Sequence, residues 1–155
     1  AVADLIAGVA LTGARPGDLR MARRSHFDSR TGTISFFSKN HPRTVPLPKA
    51  ALPLFERLAK DKLPNAWLFT RDDRRPWGHS DWDELVRAAA ETAGLPTGVC
   101  LYTLRHSFIT QSLMDGVSTL DVGRITGTSL AMIERHYGHL VLNEARERLD
   151  RVNLL

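Results

Sequence analysis

A single cysteine, Cys100, is the whole thiol content of this 155-residue chain. It permits no internal disulfide and suits a reducing compartment, where a lone thiol reads as a small buried side chain rather than a nucleophile. No apolar run approaches the length that spans a bilayer. The opening stretch AVADLIAGVALTGARPGD is apolar, yet it carries Asp4 and lacks a basic leader, which is a poor match to a signal peptide. It also lacks an initiator methionine and starts inside an amphipathic pattern, so we expect a domain cut from a longer chain. Internal repeats, low-complexity tracts and long linkers are missing too. What remains is one soluble globular domain with enough chain to bury a sizeable core.

Charge is unevenly spread. The net charge is +4, but residues 1–50 alone carry eight Lys/Arg against Asp4, Asp18 and Asp28, leaving the rest of the chain at −1. A basic first third beside a neutral body points to a face that meets a polyanion, the ordinary alternative being a solvated surface.

The periodicity predicts a mostly helical α+β fold with a small antiparallel sheet of two or three strands near the N-terminal side. Residues 2–11 read as a helix ended by Thr12-Gly13, and a short helix opens near Pro16. In HFDSRTGTISFFSKNHPRTVPLP, Ser29–Gly32 and Lys39–Pro42 are turns between extended segments, and Pro46 and Pro48 suit a sheet edge. Helical spacing resumes at Lys49. Residues 64–79 form a connection, and a helix capped by Ser80 or Asp81 runs to about Ala93, with Gly94 as its stop. Leu101–Asp115 is the next helix, with Thr103 as a plausible cap. Asp121–Thr126 is short and ends at Gly127. Ser129–Tyr137 is stopped by Gly138, and a last helix at 143–152 turns Ala145, Leu149 and Val152 inward.

Four stretches carry polar groups that a core does not need. In LYTLRHSFIT, Arg105 and His106 stand near the start of a helix, where free backbone N–H groups and a guanidinium together make an oxyanion or phosphate site. The common fate of a lone arginine is instead a pair with a nearby acid. In TGARPGDL, Asp18 follows Arg15 by three residues and can hold its guanidinium. In SFFSKNHPRTVPL, Lys39 sits on a turn from which it can reach a phosphate. In IERHYGHL, Tyr137 shares a face with Leu130 and Ile133 but ends its helix, which leaves the phenol near solvent. A purely core tyrosine would need a partner for its hydroxyl.

Taken in order, these stretches resemble the tyrosine recombinase (phage integrase) family over nearly the whole chain, specifically its catalytic domain. The resemblance gives TGARPGDL as the first arginine box with Arg15 and the acidic position Asp18. It gives Lys39 as the active-site lysine, YTLRHSFIT as the second arginine box with Arg105, and ITGTSLAMIERHYGHL as the terminal box with Tyr137. Two positions depart from the pattern: Tyr102 stands where a histidine is usual, and Thr128 where a histidine or tryptophan is usual. Tyr102 can still hydrogen-bond a phosphate oxygen. Thr128 has a hydroxyl but not the reach of an imidazole. His106 is expected to support the site rather than act on substrate, and Arg20, Arg24 and Arg43 are candidate DNA contacts.

The implied chemistry is phosphoryl transfer from DNA to tyrosine. Tyr137 attacks the scissile phosphate to give a 3′-phosphotyrosyl link and a 5′-hydroxyl, Arg15 and Arg105 neutralise the non-bridging oxygens, and Lys39 protonates the leaving oxygen. No metal or other cofactor is implied, because the guanidinium groups fill the cationic role. The sequence has no cluster of acids for magnesium, and His136 and His139 lack further ligands at zinc spacing. The implied partners are double-stranded DNA and further copies of the chain, as a tetramer on paired sites with the C-terminal segment (Val152, Leu154, Leu155) tucked into a neighbour, and no membrane. The implied setting is the bacterial or phage cytoplasm, with the protein associated with the nucleoid. The family's helical core-binding domain is absent from these 155 residues, so weak DNA binding is expected. The alternatives are a helix-turn-helix DNA reader formed by residues 116–140, a degenerate recombinase that binds without cutting, and a topoisomerase of the same chemistry.

Overall fold

The computed structural model describes residues 1–38 and 41–152, with backbone alone at 38, 41 and 141–148. Lys39, Leu154, Leu155 and the side chain of Ala145 therefore lie outside the described residues. Helix α1 (Val2–Thr12) ends at Gly13, whose left-handed φ of 62° returns its N–H to Val9 O. Only glycine fits here, because a Cβ would stand 2.3 Å from a ring carbon of Phe108. Arg15 is the extended residue before α2 (Pro16–Arg20), where Pro16 occupies the first turn, in which its missing N–H costs nothing.

Strands β1 (Phe27–Asp28), β2 (Thr33–Ser38) and β3 (His41–Pro46) form an antiparallel sheet in the order β1-β2-β3. Ile34 and Phe36 face the core while Phe37 is exposed, as strand alternation requires. The register pairs Ile34 with Val45 and Phe36 with Arg43. Val45 and Arg43 thus share the inner face, and the Arg43 guanidinium lies 4.8 Å from the Phe36 ring centroid. Pro46 sits on the edge strand, where a missing N–H is tolerated.

Helix α3 (Leu52–Ala59) buries Phe55 and Ala59 against the sheet side of the core, and the connection to α4 (Asp83–Thr92) buries Leu68, Phe69, Trp77 and Trp82. Neither Ser80 nor Asp81 caps α4. The cap position is Trp82, and Asp81 instead accepts from Gly78 N and Arg71.

Helix α5 (Leu101–Met114) links two packed clusters. Leu101 belongs to the larger one, around α1, the sheet, α3 and α4, while Ile109 and Leu113 belong to a smaller one with Val122, Ile133 and Tyr137. Its cap is Cys100, not Thr103, which sits three residues inside and accepts from Cys100 N at 3.2 Å in a capping box. That position leaves Cys100 exposed, contrary to the expectation of a buried thiol.

Helix α6 (Thr119–Thr126) is capped by Ser118 and ends at Gly127, again left-handed at φ 71°. Helix α7 (Leu130–Leu149) then runs unbroken through Gly138. The expected stop and the separate final helix at 143–152 do not form. A helical glycine costs only about 1 kcal/mol, and the buried residues Ile133 and Tyr137 hold this stretch in place. Leu149 and Val152, expected to face inward, are exposed.

Candidate active site

Arg105 lies at the fifth residue of α5, within the buried stripe Leu101–Arg105–Ile109–Leu113, and is 6% exposed. The helix N-terminus therefore does not form the anion site imagined from the sequence; the guanidinium itself is the feature. Burying it demands partners, and these are main-chain carbonyls at the ends of two other helices. Nη1 donates to Gly13 O, just past α1, and to Thr126 O, the last residue of α6, at 2.9 Å. Nη2 donates to the Thr128 hydroxyl oxygen. The carbonyl ends of helices carry partial negative charge, so α1 and α6 both favour a cation at this point.

Arg15 is held in the same way. Its Nη2 donates to Gly127 O, and its side chain remains 37% exposed. Asp18, expected to fix Arg15, lies 4.0 Å from it, whereas its 2.6 Å ion pair is with Arg43. Arg43, expected as a DNA contact, is only 11% exposed and also donates to Ile125 O at 3.3 Å. Its remaining Nη1 is buried without a partner among the described residues. A buried guanidinium donor without an acceptor is uncommon and suits a site built to receive one.

These groups open onto one cavity of about 1480 Å³. Its lining includes Arg15, Arg43, Arg105 and Arg124, against Asp121 as the acid. The excess positive charge is concentrated where the helix ends already favour cations. Burial pushes the Arg105 pKa down to about 10, the charges of Arg15 and Arg43 add to the effect, and Asp18 opposes it. An anion entering the cavity would relieve that strain.

Tyr137 lines the same cavity from α7. Its ring completes the smaller packed cluster and the residue is 7% exposed. Its hydroxyl is not idle: it hydrogen-bonds Nδ1 of His106, whose ring lies 6.0 Å away, centroid to centroid, and inclined by 34°. Burial raises the phenol above its ordinary pKa, while the Arg105 charge pulls it back. Exposed Tyr102 and half-buried Thr128 also line the cavity. The Thr126 hydroxyl donates to Val122 O at 2.7 Å and lies 3.0 Å from the Thr128 hydroxyl, so Thr128 is tied to both α6 and Arg105.

The structure thus gathers Arg15, Tyr102, Arg105, His106, Thr128 and Tyr137, from positions over 120 residues apart, around one space. Arg20 and Arg24 are not among its lining residues. Arg20 donates to Trp77 O and Arg24 to Phe27 O, which marks them as local braces. Among the described residues no three His, Cys, Asp or Glu side chains are grouped to hold a metal ion, and no helix is long and apolar enough to cross a membrane.

A cavity lined by arginines, with a tyrosine hydroxyl at its wall, is the arrangement expected of a protein that handles phosphodiesters. The chain belongs to the phage integrase family, whose model matches residues 5–144. No curated protein sequence gives a match. Among solved structures it is similar to XerA recombinase, with 22% identity, 98% of this chain and 63% of that one covered, and a TM-score of 0.74. It is also similar to the Tn1549 transposon integrase in complex with circular intermediate DNA, at 18% identity, 97% and 59% coverage and TM-score 0.81. A third is the catalytic domain of bacteriophage HP1 integrase, at 21% identity, 97% and 82% coverage and TM-score 0.67. The fold is therefore that of a tyrosine recombinase catalytic domain. The chain spans less than two thirds of the length of the first two of these structures.

Proposed function

We propose that this chain is the catalytic part of a site-specific recombinase that cuts and rejoins duplex DNA through a 3′-phosphotyrosyl link at Tyr137. The observation that carries the reading is that Tyr137, Arg15 and Arg105 line one positively charged cavity, with Arg105 acting electrostatically on the Tyr137 phenol. On this reading Arg15 and Arg105 bind the non-bridging oxygens of the scissile phosphate and offset the charge that builds up during attack. The Tyr137 oxygen bonds to phosphorus as the bond to the 5′-oxygen breaks, and Lys39 supplies the proton that the leaving oxygen needs. Tyr102, at the cavity wall, offers a hydroxyl to a phosphate oxygen. Thr128 acts through Arg105, keeping its fork in place. The covalent link conserves the phosphodiester energy, so the 5′-hydroxyl of a new strand can reverse the step without ATP.

The proposed partners are duplex DNA and further copies of the chain, as a tetramer on paired sites in the nucleoid. The XerH site-specific recombinase, to which the chain is similar at 21% identity and TM-score 0.74, was solved on its palindromic difH substrate. The test is covalent trapping on a nicked suicide duplex that loses its 5′-hydroxyl product. The chain becomes attached to DNA and the Tyr137→Phe variant does not. DNA binding with no attachment would mark a degenerate recombinase or a plain DNA reader.

A further inference from the structure

The two positions where the family's pattern has a histidine, or a histidine or tryptophan, carry Tyr102 and Thr128 here, and neither side chain is an imidazole. A phenol nucleophile still needs somewhere to put its proton. Thr128 cannot take it, since its oxygen already accepts from Arg105. Tyr102 is itself a phenol. Arg15, Arg43 and Arg105 have no acceptor to offer. His136 lines the cavity and its ring lies near the Tyr137 ring in an edge arrangement at 6.4 Å, but it makes no hydrogen bond to the hydroxyl. His106 does, through Nδ1.

We propose that His106 is a catalytic residue of this chain, the base that receives the Tyr137 proton as the tyrosine oxygen attacks phosphorus. The inference rests on the recombinase reading and goes beyond it. With the ring proton on Nε2, the Nδ1 lone pair faces the phenol, and the hydroxyl donates to it. During attack the O–H bond breaks and its proton passes to Nδ1. The freed electron pair forms the bond from oxygen to phosphorus, and the pair of the breaking bond leaves with the 5′-oxygen. The imidazolium that results is exposed to solvent on its outer side and can shed its proton to water or return it when the step reverses. Helix geometry makes the placement possible. Arg105 is aimed inward with the buried stripe, and the next residue, rotated about 100° around α5, stands at the rim over the end of the Tyr137 side chain. Burial, which favours the neutral phenol, makes such an acceptor all the more necessary.

The experiment measures single-turnover phosphotyrosyl formation on the nicked suicide duplex for the unsubstituted chain, His106→Asn and His106→Gly. Asn places an acceptor oxygen close to the Nδ1 position but is not basic, so it preserves the hydrogen bond and removes the proton acceptance. We expect His106→Asn to be slower by about 10²–10⁴-fold, and added free imidazole to raise the rate of His106→Gly by filling the space with a base. A His106→Asn rate like that of the unsubstituted chain, or a His106→Gly rate that imidazole leaves unchanged, overturns the assignment. Because His106 is exposed, His106→Asn should melt close to the parent, while His106→Gly, which places a glycine inside α5, should lose about 1 kcal/mol, or about 2–4 °C. If the unsubstituted chain forms no phosphotyrosyl link at all, the recombinase reading fails as well. If it does and His106→Asn matches it, only the role of His106 fails.

Discussion

Replacing Gly127 with alanine tests the central geometry, because another glycine of the chain supplies the control. Gly127 and Gly94 both end helices in the left-handed region, at φ 71° and 66°. An alanine at either place incurs about 1–2 kcal/mol of backbone strain. The surroundings differ. A Cβ at Gly94 meets nothing within 4 Å, whereas one at Gly127 stands 2.8 Å from Arg15 Nη1 and 3.0 Å from Arg43 Cζ. Arg43 is pinned by Asp18 and Ile125 O, so Arg15, the more exposed of the two, must swing away and give up its bond to Gly127 O. A hydrogen bond to a charged group is worth roughly 1.5–3 kcal/mol when buried. Solvent at Arg15 reduces that to about 1 kcal/mol. At about 2–4 °C per kcal/mol for a domain of this size, Gly94→Ala should lower Tm by about 2–8 °C, and Gly127→Ala by about 2–4 °C more. Their activities should part sharply. Displacing one guanidinium from the phosphate should slow phosphotyrosyl formation by about 10²–10³-fold in Gly127→Ala and leave Gly94→Ala at the parental rate. The test is melting by circular dichroism together with single-turnover trapping on suicide DNA. Equal melting losses and a parental trapping rate for Gly127→Ala would refute the idea that the helix-end carbonyls place Arg15 for catalysis.

Four further outcomes follow from the same contacts. Thr128→Val keeps the shape but removes the oxygen that Arg105 Nη2 donates to. At roughly 1.5–3 kcal/mol, trapping should slow about 10–100-fold, and an unchanged rate would show that Thr128 does not position Arg105. Asp18→Asn leaves the Arg43 charge buried and unpaired, a loss of about 3–5 kcal/mol, so thermal melting should fall by about 6–20 °C; a smaller drop would mean the pair is dispensable. The Tyr137 phenol is raised in the folded chain, so its contribution to stability is complete below the unfolded value and is lost as pH climbs through the folded one. Denaturant titrations between about pH 9 and pH 11 should then show less alkaline loss in Tyr137→Phe than in the parent, and identical curves would contradict this. Duplex binding by these 155 residues should be weak and fall steeply as salt rises, and a nanomolar complex indifferent to salt would argue against contact through the phosphates.

Much of the fold was legible because its signals are local. Gly13, Gly94 and Gly127 mark helix ends by their conformation, Pro16 marks a helix start, and the alternation of Ile34 and Phe36 marks a half-buried strand. Gly138 misled because glycine stops a helix only when nothing else holds the turn, and Ile133 and Tyr137 hold it through packing that no local pattern reveals. The candidate site was legible as a set of residues and not as a set of contacts. The pairing of Arg15 with Asp18 is present, at 4.0 Å, but Asp18 shares its charge with Arg43, which it holds more closely at 2.6 Å. The second partner was foreseeable: once Val45 is set inward on β3, Arg43 two residues earlier must point inward too. The carbonyl partners of Arg105 were not readable at all, since Gly13 and Thr126 lie 92 and 21 residues away and contribute only backbone atoms.

On the proposed recombinase reading, those partners bear on how Arg105 would serve a phosphate while deeply buried. A carboxylate would satisfy the guanidinium more strongly than carbonyls do, but it would also cancel the charge, and an incoming phosphate would have to displace it. Carbonyl oxygens at the ends of α1 and α6 meet the hydrogen-bonding demand with dipoles and leave the full positive charge in place. The consequence is a cation under strain. Holding Arg105 at about 10, well below the ordinary guanidinium range, costs on the order of 3 kcal/mol. A phosphate entering the cavity would lower that cost by restoring a counter-charge, and on the proposed mechanism the relief would grow as negative charge accumulates on the non-bridging oxygens during attack. Interactions that strengthen on the way to the transition state raise the rate, whereas those already complete in the ground state do not. The burial of Arg105 and its carbonyl partners are therefore two halves of one device, and both rest on the left-handed glycines that end the helices α1 and α6.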